Sequence, residues 1–493
     1  MTVVRRSLLV ALPLLLSGCL VGPDYERPQP ASAPAPEFKE TMGFRPAMPR
    51  DAIDRGPWWS IYGDPTLDGL AAQIDISNQN LKVSEAAYRQ ARALIRQSQS
   101  ALYPTVGYTG AAQQVSTGTG GQRGGGSSVG QYSAASTLTW EIDVWGRIRR
   151  TIESDSAAAQ ASGADLASAR LSAQSDITTN YFSLRISEQR TRLFQESVAA
   201  YARSLQIVQN QVNAGIASRV DLTQAQTLLE QTRAQLVAEG INRAQFEHAI
   251  AVLAGKSPSE FSVAAAPLPP AVPTVDAGVP SALLERRPDI ASAERQMASA
   301  NAQIGVAEAA YYPDITLNGA IGFLSGVAGA LFQVSSAVWS IGPQLAGTLV
   351  DGGARSAQVE GARANYDKTV ATYRQTVLTA FQQVEDELSQ QRILEQQEQV
   401  QRGAVGSARE AERLALNQYR AGTVPYTTVI QTQTTALSAE QTLLNIRLNR
   451  FIASATLVKA LGGGWRAEDL PAPVPIVGLE SGKAVKKAGW WPF

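Results

Sequence analysis

The chain has 493 residues, 44% hydrophobic but only 7% aromatic, and its 43 basic and 43 acidic residues cancel. That balance provides no strongly basic face and excludes a nucleic-acid binder. One cysteine, Cys19, and one histidine, His248, leave no disulfide framework and no cysteine or histidine metal cluster.

Residues 1–18 read as a targeting segment. Arg5 and Arg6 form a positive start, and Leu8 to Leu16 is an apolar run too short to span a bilayer. It ends in Leu16-Ser17-Gly18-Cys19, which resembles a bacterial lipobox. Cleavage before Cys19 frees its amine and thiol for acylation, and several acyl chains anchor stably where one is marginal. Leu20 rather than aspartate follows, which points to the outer membrane. Without Arg5 and Arg6 the mature chain keeps 41 basic against 43 acidic residues. Residues 19–66 are Pro-rich and read as an extended segment. No later stretch has the length of a transmembrane helix, so the mature chain enters a membrane only as strands.

From Leu67 the chain says the same thing twice. Ala101-Leu102-Tyr103-Pro104 recurs as Ala310-Tyr311-Tyr312-Pro313, Val144-Trp145-Gly146 corresponds to Val350-Asp351-Gly352, and Asn213-Ala214-Gly215 to Arg420-Ala421-Gly422. Landmarks at nearly one offset mean a duplicated unit. The repeats span 67–258 and 281–465, joined by a Pro-rich linker, 259–280, and followed by a tail, 466–493. Lys483, Lys486 and Lys487 in that tail read as a solvated or headgroup-facing end.

Each repeat opens with a helical pattern, 67–100 in the first, halted where proline disfavours helix at its predecessor. The period then drops to two. Leu138-Thr139-Trp140-Glu141-Ile142 alternates strictly, as does Ile315-Thr316-Leu317-Asn318-Gly319-Ala320-Ile321. Strands are expected near 103–115, 133–145, 313–324 and 337–350, with Gly118 to Gly130 as a Gly/Ser loop. Alternating segments of about ten residues suit transmembrane barrel strands. Four strands close no barrel, since about eight is the practical minimum, so a membrane reading requires an oligomer.

Proline-free helices follow at 149–212 and 354–418. Ile177, Leu184, Thr191, Val198, Leu205 and Val212 recur every seven residues, as do Val370, Val377 and Val384, which is a coiled-coil pattern. Each run would reach roughly 95 Å. Turns at Gly215 and Gly422 lead to returning helices, 220–254 and 426–461. Abundant Ala, Ser and Gln fits a thin helical wall with apolar seams. No catalytic constellation is present and no cofactor is expected. His248 stands alone, and Glu385-Asp386-Glu387 point in different directions around a helix.

The chain resembles the TolC/OprM-like outer-membrane efflux proteins, specifically the lipoproteins of the NodT type. The resemblance is carried by Val21-Gly22-Pro23-Asp24-Tyr25-Glu26-Arg27-Pro28, by Trp140 to Arg150, by Arg286-Arg287-Pro288-Asp289-Ile290, and by Asp351-Gly352-Gly353 and Leu461 to Trp465. It implies an α+β membrane protein forming a homotrimer. Three chains would pool twelve strands in one outer-membrane β-barrel, continued by an α-helical barrel into the periplasm. It also implies a passive exit duct for drugs or other small toxic compounds, joined by a periplasmic adaptor to an inner-membrane RND-type transporter. The implied lipid attachment is Cys19, and Leu138, Trp140, Ile142, Ile315, Leu317 and Ile321 are implied to face outer-membrane lipid. The tip turns at Gly215 and Gly422 are the implied adaptor contacts. The family's aperture maps to Gly215–Gln226 and Gly422–Gln433. Acidic family positions align with Asp221, Thr428 and Gln431, of which only Asp221 is acidic here. An Asp221 ring would attract cations and pair with Arg219, and Asp221 would equally cap a helix. A type I protein-secretion duct shares this architecture. A periplasmic coiled-coil adaptor or structural lipoprotein would need no duplicated strands.

Overall fold

The computed structural model describes residues 20–30, 38–40, 57–117, 127–273, 275 and 286–472, and it shows one element order used twice. In the first use, α1 (Pro65–Ser77) and α2 (Gln79–Ser100) precede β1 (Thr105–Thr117), β2 (Ser127–Glu141), α3 (Arg147–Asn213) and α4 (Arg219–Leu253). In the second, α5 (Pro288–Ala309) precedes β3 (Asp314–Ser325), β4 (Ala337–Ala346), α6 (Ala354–Arg420) and α7 (Tyr426–Ala460). Helical counterparts have equal lengths: α2 and α5 have 22 residues, α3 and α6 have 67, and α4 and α7 have 35. A helix as long as α3 extends about 100 Å. Cys19 and the targeting segment, the Lys483 cluster and residues 118–126 lie outside the described residues.

Several boundaries differ from the sequence expectation, and β4 ends at Ala346 rather than 350. The helix expected over 67–100 breaks at Asn78, whose ψ of 120° is extended. Asn78 leaves the helix because its side chain has two other tasks: it accepts from Leu81 N–H at 2.9 Å and donates to the Leu253 carbonyl at 2.8 Å. The Gly/Ser loop is shorter than expected, because β2 already begins at Ser127. Strand β2 stops at Glu141 rather than 145, because Asp143 caps the next helix. Its carboxylate accepts from the backbone N–H groups of Ile148 and Arg149, each at 3.0 Å. That satisfies two of the orphan donors at the start of α3.

The four strands form one antiparallel sheet in the order β1-β2-β3-β4. Below it the long helices pair as hairpins, α3 with α4 and α6 with α7, and α3 lies against α7. The heptad rows are the seams of this packing. Ile177, Leu184 and Val384 belong to one core with Phe182 and Phe451, whose rings stack at 4.5 Å. Leu193, Val198, Leu205 and Val212 fill the seams nearer the tips. The first core sits where the returning helices end against the middle of α3, and Trp58, Trp59 and Tyr62 close it. Among the described residues, no helix is long and apolar enough to cross a membrane.

Candidate channel wall and aperture

Residues directly opposite one another in the sheet project from the same face. Val106 pairs with Leu138, Leu138 with Gly319, and Gly319 with Ile341. The next row holds Tyr108, Ser136, Ile321 and Trp339, and another holds Trp140, Leu317 and Pro343. Ile315 continues this face opposite Leu345, and Ile142 keeps step by donating to the Ile315 carbonyl at 2.8 Å. The six expected lipid-facing residues therefore share one apolar face. Trp339 on it is 77% exposed, although it is among the largest apolar side chains in the chain. The opposite face is Thr105, Thr139 and Asn318 in one row and Thr137 and Ala320 in another. Only Glu141 and Asp314 bring charge to the strands, both at the end nearest the helices. Sequence reading missed Val106 and Tyr108, because Gly and Ala interrupt the alternation of β1.

The strand-to-helix junction explains its dense motif. Glu141 binds Arg147 at 2.5 Å, and Asp143 binds Arg149 at 3.1 Å besides capping α3. Arg150 is 1% exposed and reaches the start of the described chain, donating to the Val21 and Gly22 carbonyls. Leu20 lies against Gly146, so the chain reaches the foot of the sheet one residue after Cys19.

The tip turns are alike in backbone and different in side chains. Gly215 and Gly422 have φ of 73° and 74°, the left-handed geometry that favours glycine. After the first turn Asp221 completes a capping box: Asp221 N–H donates to Ser218 Oγ and Ser218 N–H to the Asp221 carboxylate, both at 3.2 Å. Within one chain Asp221 is held by Ser218 and forms no ion pair with Arg219. After the second turn Pro425 precedes α7 without a side-chain cap. Tyr419 and Tyr426 pack with ring centres 5.0 Å apart. Burial pushes Tyr426 up to about 12, with Tyr419 and Asp221 adding to it. Burial, then Asp221, also raises Tyr419, whose buried hydroxyl lacks a hydrogen-bond partner. Two tyrosines flanking a tip glycine were the available sequence signal for this cluster.

A groove of about 640 Å³ runs between α4 and α7 beside the tips. Arg219 and Gln431 line it, with Thr223, Thr227, Ile430 and Thr434, whereas Asp221 and Thr428 do not. The expected aperture set is thus divided. Higher up, Glu398 is buried and gripped by Arg402 at 2.5 Å and Arg450 at 2.6 Å, which hold its carboxyl below the usual range against the effect of burial. Such pairs fasten helices together; they present no acid and base to a common substrate.

An amphipathic sheet continued by two long helical hairpins defines a membrane-inserted conduit protein. The sequence matches the outer membrane efflux protein family over residues 70–256 and 279–463. The probable efflux pump outer membrane protein TtgC of Pseudomonas putida is 30% identical over 469 residues, which is 93% of this chain and 95% of that one. The cation efflux system protein CusC of Escherichia coli is 26% identical over 456 residues, 92% of this chain and 97% of that one. Among solved structures, the outer-membrane channel OprN superposes with a TM-score of 0.82 at 29% identity, covering 91% of this chain and 100% of that one. The open state of the MtrE outer-membrane channel of Neisseria gonorrhoeae gives 0.78 at 26% identity, covering 91% and 99%. The chain belongs to the outer membrane efflux protein family. It is an outer-membrane exit channel of tripartite efflux pumps, a conduit and not an enzyme.

Proposed function

We propose that three copies of this chain close a twelve-stranded β-barrel in the outer membrane, held there by acyl chains on Cys19 and continued by a helical barrel into the periplasm. The observation that carries this reading is the two-faced sheet with open edges. Among the described residues β1 pairs only with β2, and β4 only with β3. An open strand edge is not tolerated in hydrocarbon, and four strands close on nothing by themselves. The apolar face with Leu138, Trp140, Ile142, Ile315, Leu317 and Ile321 would then meet lipid, and the threonine-rich face would line the duct.

The helical row has open sides as well. α4 exposes Val237, Ile241 and Val252, and α6 exposes Ile393, Val400 and Leu414, the last three at one heptad position. Exposed apolar rows on both outer helices suit a neighbouring copy on each side. The tips at Gly215 and Gly422 would receive a periplasmic adaptor, which couples the duct to an inner-membrane RND-type transporter that supplies the energy. The cargo is drugs or other small toxic compounds. The placement of Leu20 at the foot of the sheet supports lipidation of Cys19, since acyl chains there would enter the inner leaflet beside the barrel.

The test uses the scarcity of cysteine. In a Cys19→Ser background, Val237→Cys and Val400→Cys each lie 22 residues from their tip glycine, at matching heights. Oxidation of the double variant is expected to give covalent trimers that still need detergent. Monomers that stay soluble without detergent would sink the reading.

A further inference from the structure

α7 has one open stripe, and it is uncharged. Gln431, Thr435, Ser438, Thr442, Asn445 and Asn449 recur along it at three- and four-residue steps, all exposed. Every exposed residue of α7 is a threonine, serine, asparagine or glutamine. Its own charged residues turn elsewhere, and Arg190 of α3, which donates to Asn445 on the stripe, is offset by the Glu239 carboxylate of α4 at 3.9 Å. Glu440 is held by Arg409 of α6, while Arg447 and Arg450 face Glu398. Lys459 is half-buried at the far end of the helix.

The stripe belongs to the concave side of the wall. α4 and α7 both pack on α3 and also touch each other, so the row of helices curls toward the side they share. The groove between them is on that side, and Gln431 and Thr434 line it. Its only charged lining residue is Arg219, a cation. Above, the strands carry no charge beyond Glu141 and Asp314, and Glu141 is neutralised by Arg147. Charges on the far side of a helix about 10 Å thick are screened over a Debye length of about 8 Å at physiological salt. In a wide pore lined by side chains, cation selectivity comes from rings of carboxylates, and α7 places none on its open stripe.

We propose that the inner wall of this duct is electrically neutral along α7 and is built to pass uncharged organic solutes rather than metal cations. Hydroxyl and amide side chains exchange hydrogen bonds with water and with such solutes at little cost, and they carry no net charge to concentrate cations. This inference rests on the exit-duct reading, and one experiment separates the two. The full mature chain is inserted in a planar phosphatidylcholine bilayer under a potassium chloride gradient. The potassium-to-chloride permeability ratio is expected within about twofold of one, and the double variant Gln431→Asp with Ser438→Asp is expected to raise it at least about threefold. A wild-type ratio above about five, or a double variant that does not differ from wild type, overturns the neutral wall and leaves the duct standing. No conductance from either protein overturns both. In the cell, deletion is expected to sensitise to uncharged organic compounds and not to copper, silver or cobalt salts; the reverse pattern overturns the cargo class.

Discussion

Arg150, in the first turn of α3, donates from Nε to the Val21 carbonyl at 3.1 Å and from Nη2 to the Gly22 carbonyl at 2.9 Å. A third bond reaches Asp24 at 3.0 Å. The beginning of the described chain is thereby tied to the point where sheet becomes helix. Arg150→Ala removes charge-assisted bonds from a site that excludes water, a loss of about 2–3 kcal/mol. Limited proteolysis should then cut within residues 20–30 in the variant and spare them in the wild-type channel.

Charge on the two faces of the sheet should have opposite consequences. Leu138→Arg or Ile321→Arg places a guanidinium on the apolar face and should cost about 2–4 kcal/mol near the bilayer centre. Thr137→Arg, one residue from Leu138 but on the other face, should assemble normally. The yield of detergent-extracted trimer measures both, and equal yields would mean that the faces are assigned wrongly.

Two glycines with similar backbones should respond differently to alanine. At Gly215 a Cβ meets nothing within 4 Å, so Gly215→Ala costs only the left-handed strain, about 1 kcal/mol. At Gly255, with φ of 67°, the same atom would sit 2.1 Å from the Ser77 carbonyl oxygen. Gly255→Ala must separate α4 from α1 and should cost at least about 3 kcal/mol. Urea unfolding of the purified channel ranks the pair.

Asp221→Ala removes half of a capping box and should loosen the first turn of α4 by about 0.5–1 kcal/mol. Because Asp221 does not line the groove, the permeability ratio should stay at its wild-type value. A drop in cation preference in the same bilayer recording would restore the view of Asp221 as an aperture charge.

Glu387 gives a pH dependence. Burial, with Asp386 adding to it, pushes its carboxyl up to about 7, and its buried Oε2 lacks a hydrogen-bond partner. The folded pKa lies above the ordinary 4.5, so between those values the unfolded chain releases a proton that the folded chain keeps. Stability from this group is whole below 4.5, falls as pH rises, and is lost above about 7. Partial solvent access limits the effect to about 1–2 kcal/mol. Glu387→Gln should therefore melt with the wild type at pH 4 and above it at pH 8.

Much of the architecture was legible residue by residue. Tyr103-Pro104 and Tyr312-Pro313 marked both helix-to-strand transitions, and the heptads from Ile177 to Val212 marked the seams. Asn78 was not legible as a break, because its reason is the Leu253 carbonyl, 175 residues away. Asp221 was readable as a cap or a charge, and only coordinates show it turned toward Ser218 and away from the groove.

The sequence by itself determined the duplicated plan, the element types and their order, because hydrophobic period and chain-breaking residues act locally and appear in order along the chain. Only the tertiary structure decided which residues share a surface. It set Val106 beside Leu138, Gly319 and Ile341, put Arg219 in the groove without Asp221, and gathered every exposed residue of α7 into one uncharged stripe. Register and helix rotation are fixed by contacts between segments far apart in the chain, and those contacts leave no local pattern to read.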